Sequence, residues 1–260
     1  MGCGFMIEKF LVSSLEDYIK IIEIFSPNYS LSRGQERDFQ LLPSALRCDA
    51  SGFRLYSKST IQSFIEDFKS NSQLYIEDAS SYNENDWVIH AQHFGVPTYL
   101  LDFTYSHLVS LMFALEKAFD YGEDDEENCV VWLMDPKTMN LLNINRKEII
   151  NLSGETADCI NEYQKPFVVS SRKNNARMMA QDGLFVYFQD KVEALENVDG
   201  AEKFLKKIEI PHVNAKSVLS TLYTLGMRFS HIYPELPSVS KDIILKNRVS
   251  EFYRQEEKNE

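Results

Sequence analysis

The chain of 260 residues is 44% hydrophobic and 25% charged, the balance of a soluble globular protein able to bury a substantial core. Its net charge of −12 argues against a broad nucleic-acid surface, which needs dense Lys and Arg, and leaves room for a local basic pocket only. No apolar run approaches the ~18 residues of a membrane span, so no membrane partner is expected.

The opening "MGCGFMIEKFLVSS" lacks the basic n-region and cleavage site of a secretory signal, and Met6 stands where a myristoylation signal has Ser or Thr. A cytoplasmic location is expected. Residues 5–25 read as an amphipathic helix with Ser14 as N-cap, because Leu15, Tyr18, Ile19, Ile22 and Phe25 recur at helical spacing. Pro27 and the serines around it punctuate a loop, and Tyr29 to Gly34 reads as a short strand ending in a glycine turn. Ile61, Phe64, Ile65 and Phe68 give one face to a helix over 59–68. Asp86 reads as the cap of a third helix, 87–94, which Gly95 stops and Pro97 keeps from resuming. Residues 99–103 then read as a buried strand and 106–119 as a core helix, apolar nearly all round. "DYGEDDEEN" (120–128) reads as a solvated acidic loop. Further strands are expected in "CVVWLMD", "PFVVSS", "GLFVYFQD" and "KKIEIPH", with a polar, helix-leaning stretch at 140–165 and a helix at 213–225. The order predicts a single α+β domain, a mixed sheet core flanked by helices. It comprises an N-terminal helical segment (1–24), a main domain (25–245) and a polar C-terminal tail (246–260).

Four cysteines, Cys3, Cys48, Cys129 and Cys159, form no CxxC pair, so reduced, mostly buried thiols are expected. His90 and His93, spaced i and i+3 at a helix end, can face one metal with Asp102 and His107, although no zinc spacing matches. Histidines bonded to backbone are the alternative, and no metal is expected. Arg33-Gly34-Gln35 leaves a strand at a glycine turn, where a planar guanidinium can grip a phosphate or carboxylate and glycine allows close backbone approach. A surface ion pair is the alternative there. Asp102 interrupts an apolar strand, and a buried carboxylate must be paired or hydrogen-bonded. It either holds Arg33, Arg47 or a loop amide, or serves in a site. Asn175, Arg177, Gln181 and Gly183 precede the apolar run 184–188, where Gln181 either projects into a cleft or stabilises a turn. The absence of GxSxG, Walker, HExxH and GxGxxG patterns removes support from serine-hydrolase, P-loop and zincin readings. Polar residues that break or precede apolar strands at three places are most simply explained by one cleft. It would gather Arg33-Gly34-Gln35, then His93 with Asp102 and Thr104, then Arg177 with Gln181.

Taken together, "SRGQERDFQLLPSALR", "WVIHAQHFGVPTYLLDFT", "SHLVSLMFAL", "NNARMMAQDGLFVYF" and "LYTLGMRFSHIYPELPSV" resemble, in order, the motifs of the FRG domain family of bacteria and their phages. Ser32 stands where that family usually has an aromatic, Tyr99 where it has arginine, and Ser110 where alanine is common. The same order is also similar to that of arginine-serine-glutamate ADP-ribosyltransferases. There, an Arg-Gly at a strand end is followed by a Ser/Thr strand leading into a helix, then by a catalytic Glu or Gln before a late strand. This second resemblance implies an ADP-ribosyltransferase-like fold with NAD as cofactor. Arg33 would hold the pyrophosphate and Thr104 a ribose hydroxyl, while Gln181 would polarise the ribose 2′-hydroxyl as the glycosidic bond breaks. His93 is counted with the catalytic residues, and Gly34, Gln35, Asp102 and Arg177 with those that bind cofactor. The implied role is an effector in phage defence or toxin–host conflict, acting on a nucleotide or macromolecular target. The alternatives are a non-catalytic module that recognises a phage or host protein or a nucleotide, and a metal-dependent nuclease or hydrolase.

Overall fold

The apolar runs read as strands are extended in the computed structural model, which describes residues 6–25, 27–76, 79–122, 125–153, 160, 162–172 and 176–259. The strands are β1 (Glu8–Leu11), β2 (Leu31–Gln35), β3 (Leu100–Thr104), β4 (Asn128–Met134), β5 (Ile150–Asn151), β6 (Phe167–Ser170), β7 (Gly183–Tyr187) and β8 (Leu205–Pro211). Among the described residues they join into one sheet of order β1-β8-β4-β2-β3-β7-β6-β5. The β1–β8 and β5–β6 pairs are parallel and the others antiparallel. The helices are α1 (Leu15–Phe25), α2 (Lys58–Ser72), α3 (Glu84–His93), α4 (His107–Ala114), α5 (Pro136–Ile144), α6 (Ala176–Gln181), α7 (His212–Thr224), α8 (Phe229–Ile232) and α9 (Leu236–Asn259). The fold is α+β, a mixed sheet flanked by helices.

Alternation along the strands sorts their side chains onto two faces. On one face a single apolar core runs across the middle of the sheet: Leu31, Leu101, Phe103, Val130, Trp132, Leu184 and Val186 share it. On the other face there are two cores. One joins Val131, Leu133, Ile208 and Ile210 to helices α1, α4, α7 and α9, and the other joins Leu100, Phe167, Val169 and Phe185 to Ile89 of α3. The boundary between these two cores falls at β2 and β3.

Several elements differ from the sequence expectations, among them the core helix expected over 106–119, whose α-helical part is His107–Ala114. The first helix is shorter, because residues 8–11 pair with the open edge of β8, Glu8 opposite Lys206, before Ser14 caps α1 through the Asp17 N–H. Asp86 is not the N-cap of α3: Asn83 is, and Asp86 returns a bond to the Asn83 N–H to complete a capping box. The acidic loop is not uniformly solvated, since Asp125 turns inward to Arg37 and to His212, whose Nδ1 lies 2.9 Å away. Within 140–165, helix ends at Ile144 and a two-residue strand follows at Ile150–Asn151; residues 154–159 and 161 lie outside the described residues. Cys129 is buried and Cys48 half-buried, both unbridged, while Cys3 and Cys159 lie outside the described residues. Residues 246–259 continue α9, and among the described residues no helix is long and apolar enough to cross a membrane.

Gly34 sets how closely α4 packs on the sheet. A Cβ at that position would sit 1.8 Å from the Ser110 carbonyl oxygen and 2.8 Å from the Ala114 nitrogen, both backbone atoms. Neither can move without shifting the helix. Gly34→Ala is therefore expected to cost about 3 kcal/mol or more, read as a lowered midpoint in urea unfolding. An unchanged midpoint would mean that α4 stands off from β2.

Candidate functional site

β2 and β3 are paired at one position only, Ser32 opposite Thr104. By contrast β2 matches β4 over five residues, Leu31 to Gln35, and β3 matches β7 over Leu100 to Thr104. Past Ser32 the two strands diverge, and the fork between them is a small cavity of about 50 Å³. Ser32, Arg33 and Gly34 line it from β2, Asp102 and Thr104 from β3, His93 from the end of α3, Phe113 from α4, and Gln181 from the end of α6. Phe103 and Leu184 of the front core and Phe113 and Phe185 of the back face also line it, so the fork passes between the strands rather than lying on one face.

Local sequence explains how each side chain is held. Helix α3 ends in a Schellman turn: Val96 N–H donates to Ala91 O and Gly95 N–H to Gln92 O, with Gly95 at φ +85°. This stop leaves Gln92 and His93 facing β3. The Gln92 amide then splints the helix to the strand, donating to Leu100 O (3.2 Å) and Asp102 Oδ2 (3.0 Å) while accepting from the Thr98 hydroxyl. Arg33 bridges the fork, its Nη1 donating to the Asp102 carbonyl at 2.9 Å and lying 3.8 Å from the Asp102 carboxylate. Burial pulls the Arg33 guanidinium pKa below its usual range; Asp102 opposes this and the nearby Arg47 adds to it. Thr104 Oγ1 donates to Gln181 O at 2.5 Å and accepts from Ser106 N–H at 2.9 Å, tying β3 to the turn before β7. In that turn Asp182 takes a left-handed conformation, φ +45°, which Asp tolerates better than most residues.

The structure thus brings Arg33, Gly34, His93, Asp102, Thr104 and Gln181 to one cavity. Gln35 lies beyond it, on the adjoining groove, and its Oε1 accepts from the Trp132 indole at 3.2 Å. Arg177 lies on α6, but its side chain and the whole of Asn175 are outside the described residues. The expectation that Asp102 is buried is overturned. Its side chain is 55% exposed, because the alternation of β3 sends Leu101 and Phe103 into the front core and Asp102 out at the fork.

Two polar clusters escaped sequence reasoning. Ser32 Oγ lies 2.7 Å from Ser110 Oγ and 2.8 Å from His107 Nδ1, a buried chain beneath the cavity. Two residues that depart from the family pattern are therefore in contact with each other. Tyr99, the third departure, donates to Asp190, which also receives Arg54 Nη1 at 2.6 Å, so Arg54 supplies a cation close to the usual arginine position. The histidines do not gather: His90 packs among Phe68, Tyr82 and Phe94, and His107 faces Ser32. Among the described residues no group of three His, Cys, Asp or Glu is placed to hold a metal ion, so the metal-dependent reading gains no support.

Two tests follow from this geometry. Because Asp102 is exposed and its charge lies 3.8 Å from Arg33, Asp102→Asn is expected to change stability by about 1 kcal/mol or less. A thermal melt showing a loss several times larger would restore a buried, essential pair. Burial lowers the pKa of His90, with some help from His93, and also that of His107. The unfolded chain, with imidazoles near ~6.5, takes up protons first as pH falls. Stability is then full above that value and declines below it. Urea midpoints measured from pH 8 to 5 check this, and a flat profile to pH 5 would mean that both rings are solvated.

Compared with known families, residues 29–123 match the family model described as the FRG domain. No curated protein and no solved structure matches the chain. The matched residues contain β2, α3, β3 and α4, hence both strands of the fork, whereas Gln181 lies beyond them. The chain carries an FRG domain, and the fork between β2 and β3 is built inside it.

Proposed function

We propose that the fork binds NAD and that the protein is an ADP-ribosyltransferase-like effector. The observation that carries this reading is the meeting of Arg33-Gly34, Thr104 and Gln181 at one cavity from stretches nearly 150 residues apart. Two buried donors there, Arg33 Nε and Gln181 Nε2, have no partner among the described residues. Unpaired buried N–H groups are costly, and a ligand rich in acceptor oxygens satisfies them. NAD supplies the ribosyl group, whose bond to nicotinamide breaks during transfer to an acceptor.

The chain's own residues have distinct tasks in this reading. Arg33 binds phosphate oxygens, and Asp102 helps to orient it. Thr104 fixes the Gln181 main chain, and its hydroxyl keeps one acceptor site for a ribose hydroxyl. Gln181 cannot ionise, so it orients and polarises by hydrogen bonding. His93, at the cavity wall, is the nearest side chain of imidazole type to move a proton. The resemblance to a family of bacteria and phages makes a phage or host macromolecule the acceptor we propose, in phage defence or toxin–host conflict.

A second reading, a binding module without turnover, is favoured by two observations. The enclosed space of about 50 Å³ is smaller than the ~150 Å³ that admits a benzene ring, so a ring enters only if lining side chains shift. Of the Glu or Gln that the transferase pattern allows at its late position, this chain has the amide, which cannot ionise. NAD consumption, with and without a bacterial lysate as acceptor, separates the readings. Arg33→Lys is expected to stay folded and lose most activity, since lysine cannot reproduce the bidentate fork. Gln181→Ala is expected to keep NAD binding and lower turnover. Calorimetry showing NAD binding without consumption selects the binder, and no NAD binding at all removes the transferase reading.

A further inference from the structure

Past the fork the cavity opens into a groove of about 820 Å³ that shares Arg33, Gly34 and Phe113 with it, within the ~300–1,000 Å³ usual for ligand clefts. Its acidic side chains are already engaged. Glu36 pairs with Lys117, Asp38 with Lys207 and Glu116 with Lys241, and Asp49 accepts the N–H groups of Ser51 and Phe53. Of the three cations on the wall, Arg33 meets Asp102 and Lys117 meets Glu36. Arg47 has no ion pair and no side-chain hydrogen bond among the described residues.

The position of Arg47 is nonetheless fixed. It follows a helical turn, Ser44–Leu46, in which Ala45 and Leu46 are fully buried, and its carbonyl accepts the Leu55 N–H at 3.0 Å. Its charge lies close enough to weaken the proton affinity of Arg33. The fold therefore holds two guanidinium groups on one groove, against their repulsion, and the Asp102 carboxylate lies near Arg33. Phe39, 51% exposed on the same groove, offers a ring face on which a base can stack.

We infer that Arg33 and Arg47 together form a diphosphate site, so that the ligand of this groove is a nucleoside diphosphate derivative. A lone carboxylate or monophosphate would occupy one guanidinium and leave the other uncompensated, whereas two linked phosphoryl groups match both. The inference rests on the proposed nucleotide reading of the fork, but it concerns a residue outside the fork and a ligand group that NAD shares with ADP and pyrophosphate.

Calorimetric titrations of the wild-type chain, Arg47→Ala and Arg47→Lys with inorganic pyrophosphate, ADP and NAD test it. Arg47→Ala is expected to weaken all three about tenfold or more, the worth of one charged hydrogen-bond pair. Its melting temperature should be unchanged, and Arg47→Lys should recover part of the affinity. Equal pyrophosphate and ADP affinity in wild type and Arg47→Ala overturns the diphosphate site while leaving NAD turnover to be judged by its own assay. Arg47-dependent binding of pyrophosphate and ADP without NAD binding supports the site and removes the transferase reading. Failure of wild type to bind either pyrophosphate or ADP overturns the inference.

Discussion

The two halves of the sheet are joined at their centre by one residue pair, Ser32 opposite Thr104, and the site exists because that junction is so narrow. Past Ser32 the backbone groups of β2 and β3 no longer satisfy each other. The arginine side chain takes over part of the bonding by donating to the Asp102 carbonyl. Around this point each neighbouring element is clamped by a specific contact: α4 by the missing side chain of Gly34, α3 by the Gln92 amide, and the turn before β7 by the Thr104 hydroxyl. The apolar core on the front face spans both halves of the sheet, so the strands can part at the fork without loss of the sheet.

Much of this architecture was legible in the sequence because the central strands are apolar runs bounded by turn residues, and the helices begin at residues that cap. β1 and β5 were not legible. They hold four and two residues respectively, and the neighbouring strands β8 and β6 make them extended by offering an open edge. The Asn83 cap was in principle visible as Asn followed three residues later by Asp, yet both residues cap helices well, and only the paired hydrogen bonds decide between them.

For the site, what could be read was the position of polar residues at breaks in apolar runs, and Arg33, His93, Asp102, Thr104 and Gln181 do meet at the fork, whereas Gln35 lies beyond it and the Arg177 side chain is outside the described residues. What could not be read was direction. In a strand, adjacent residues point to opposite faces, so whether Asp102 is buried or exposed depended on which neighbours entered the front core. The seam between the two back cores turned it outward. Contacts between distant residues, such as Ser32 with Ser110 and Tyr99 with Arg54 through Asp190, left no local trace. Their only signal was that each involves a departure from the family pattern.

The buried contact of Ser32 with Ser110 also constrains the order in which related sequences can diverge. An aromatic ring at position 32 cannot share the space now held by the Ser110 hydroxyl and the His107 imidazole. A serine at 32 facing alanine at 110 would leave a hydroxyl with fewer partners. The two positions are therefore expected to depend on each other, although Ser32 keeps His107 as a partner when 110 is alanine. Such neighbours typically couple by about 0.5–3 kcal/mol. The effect of changing both positions is then not the sum of the two single changes.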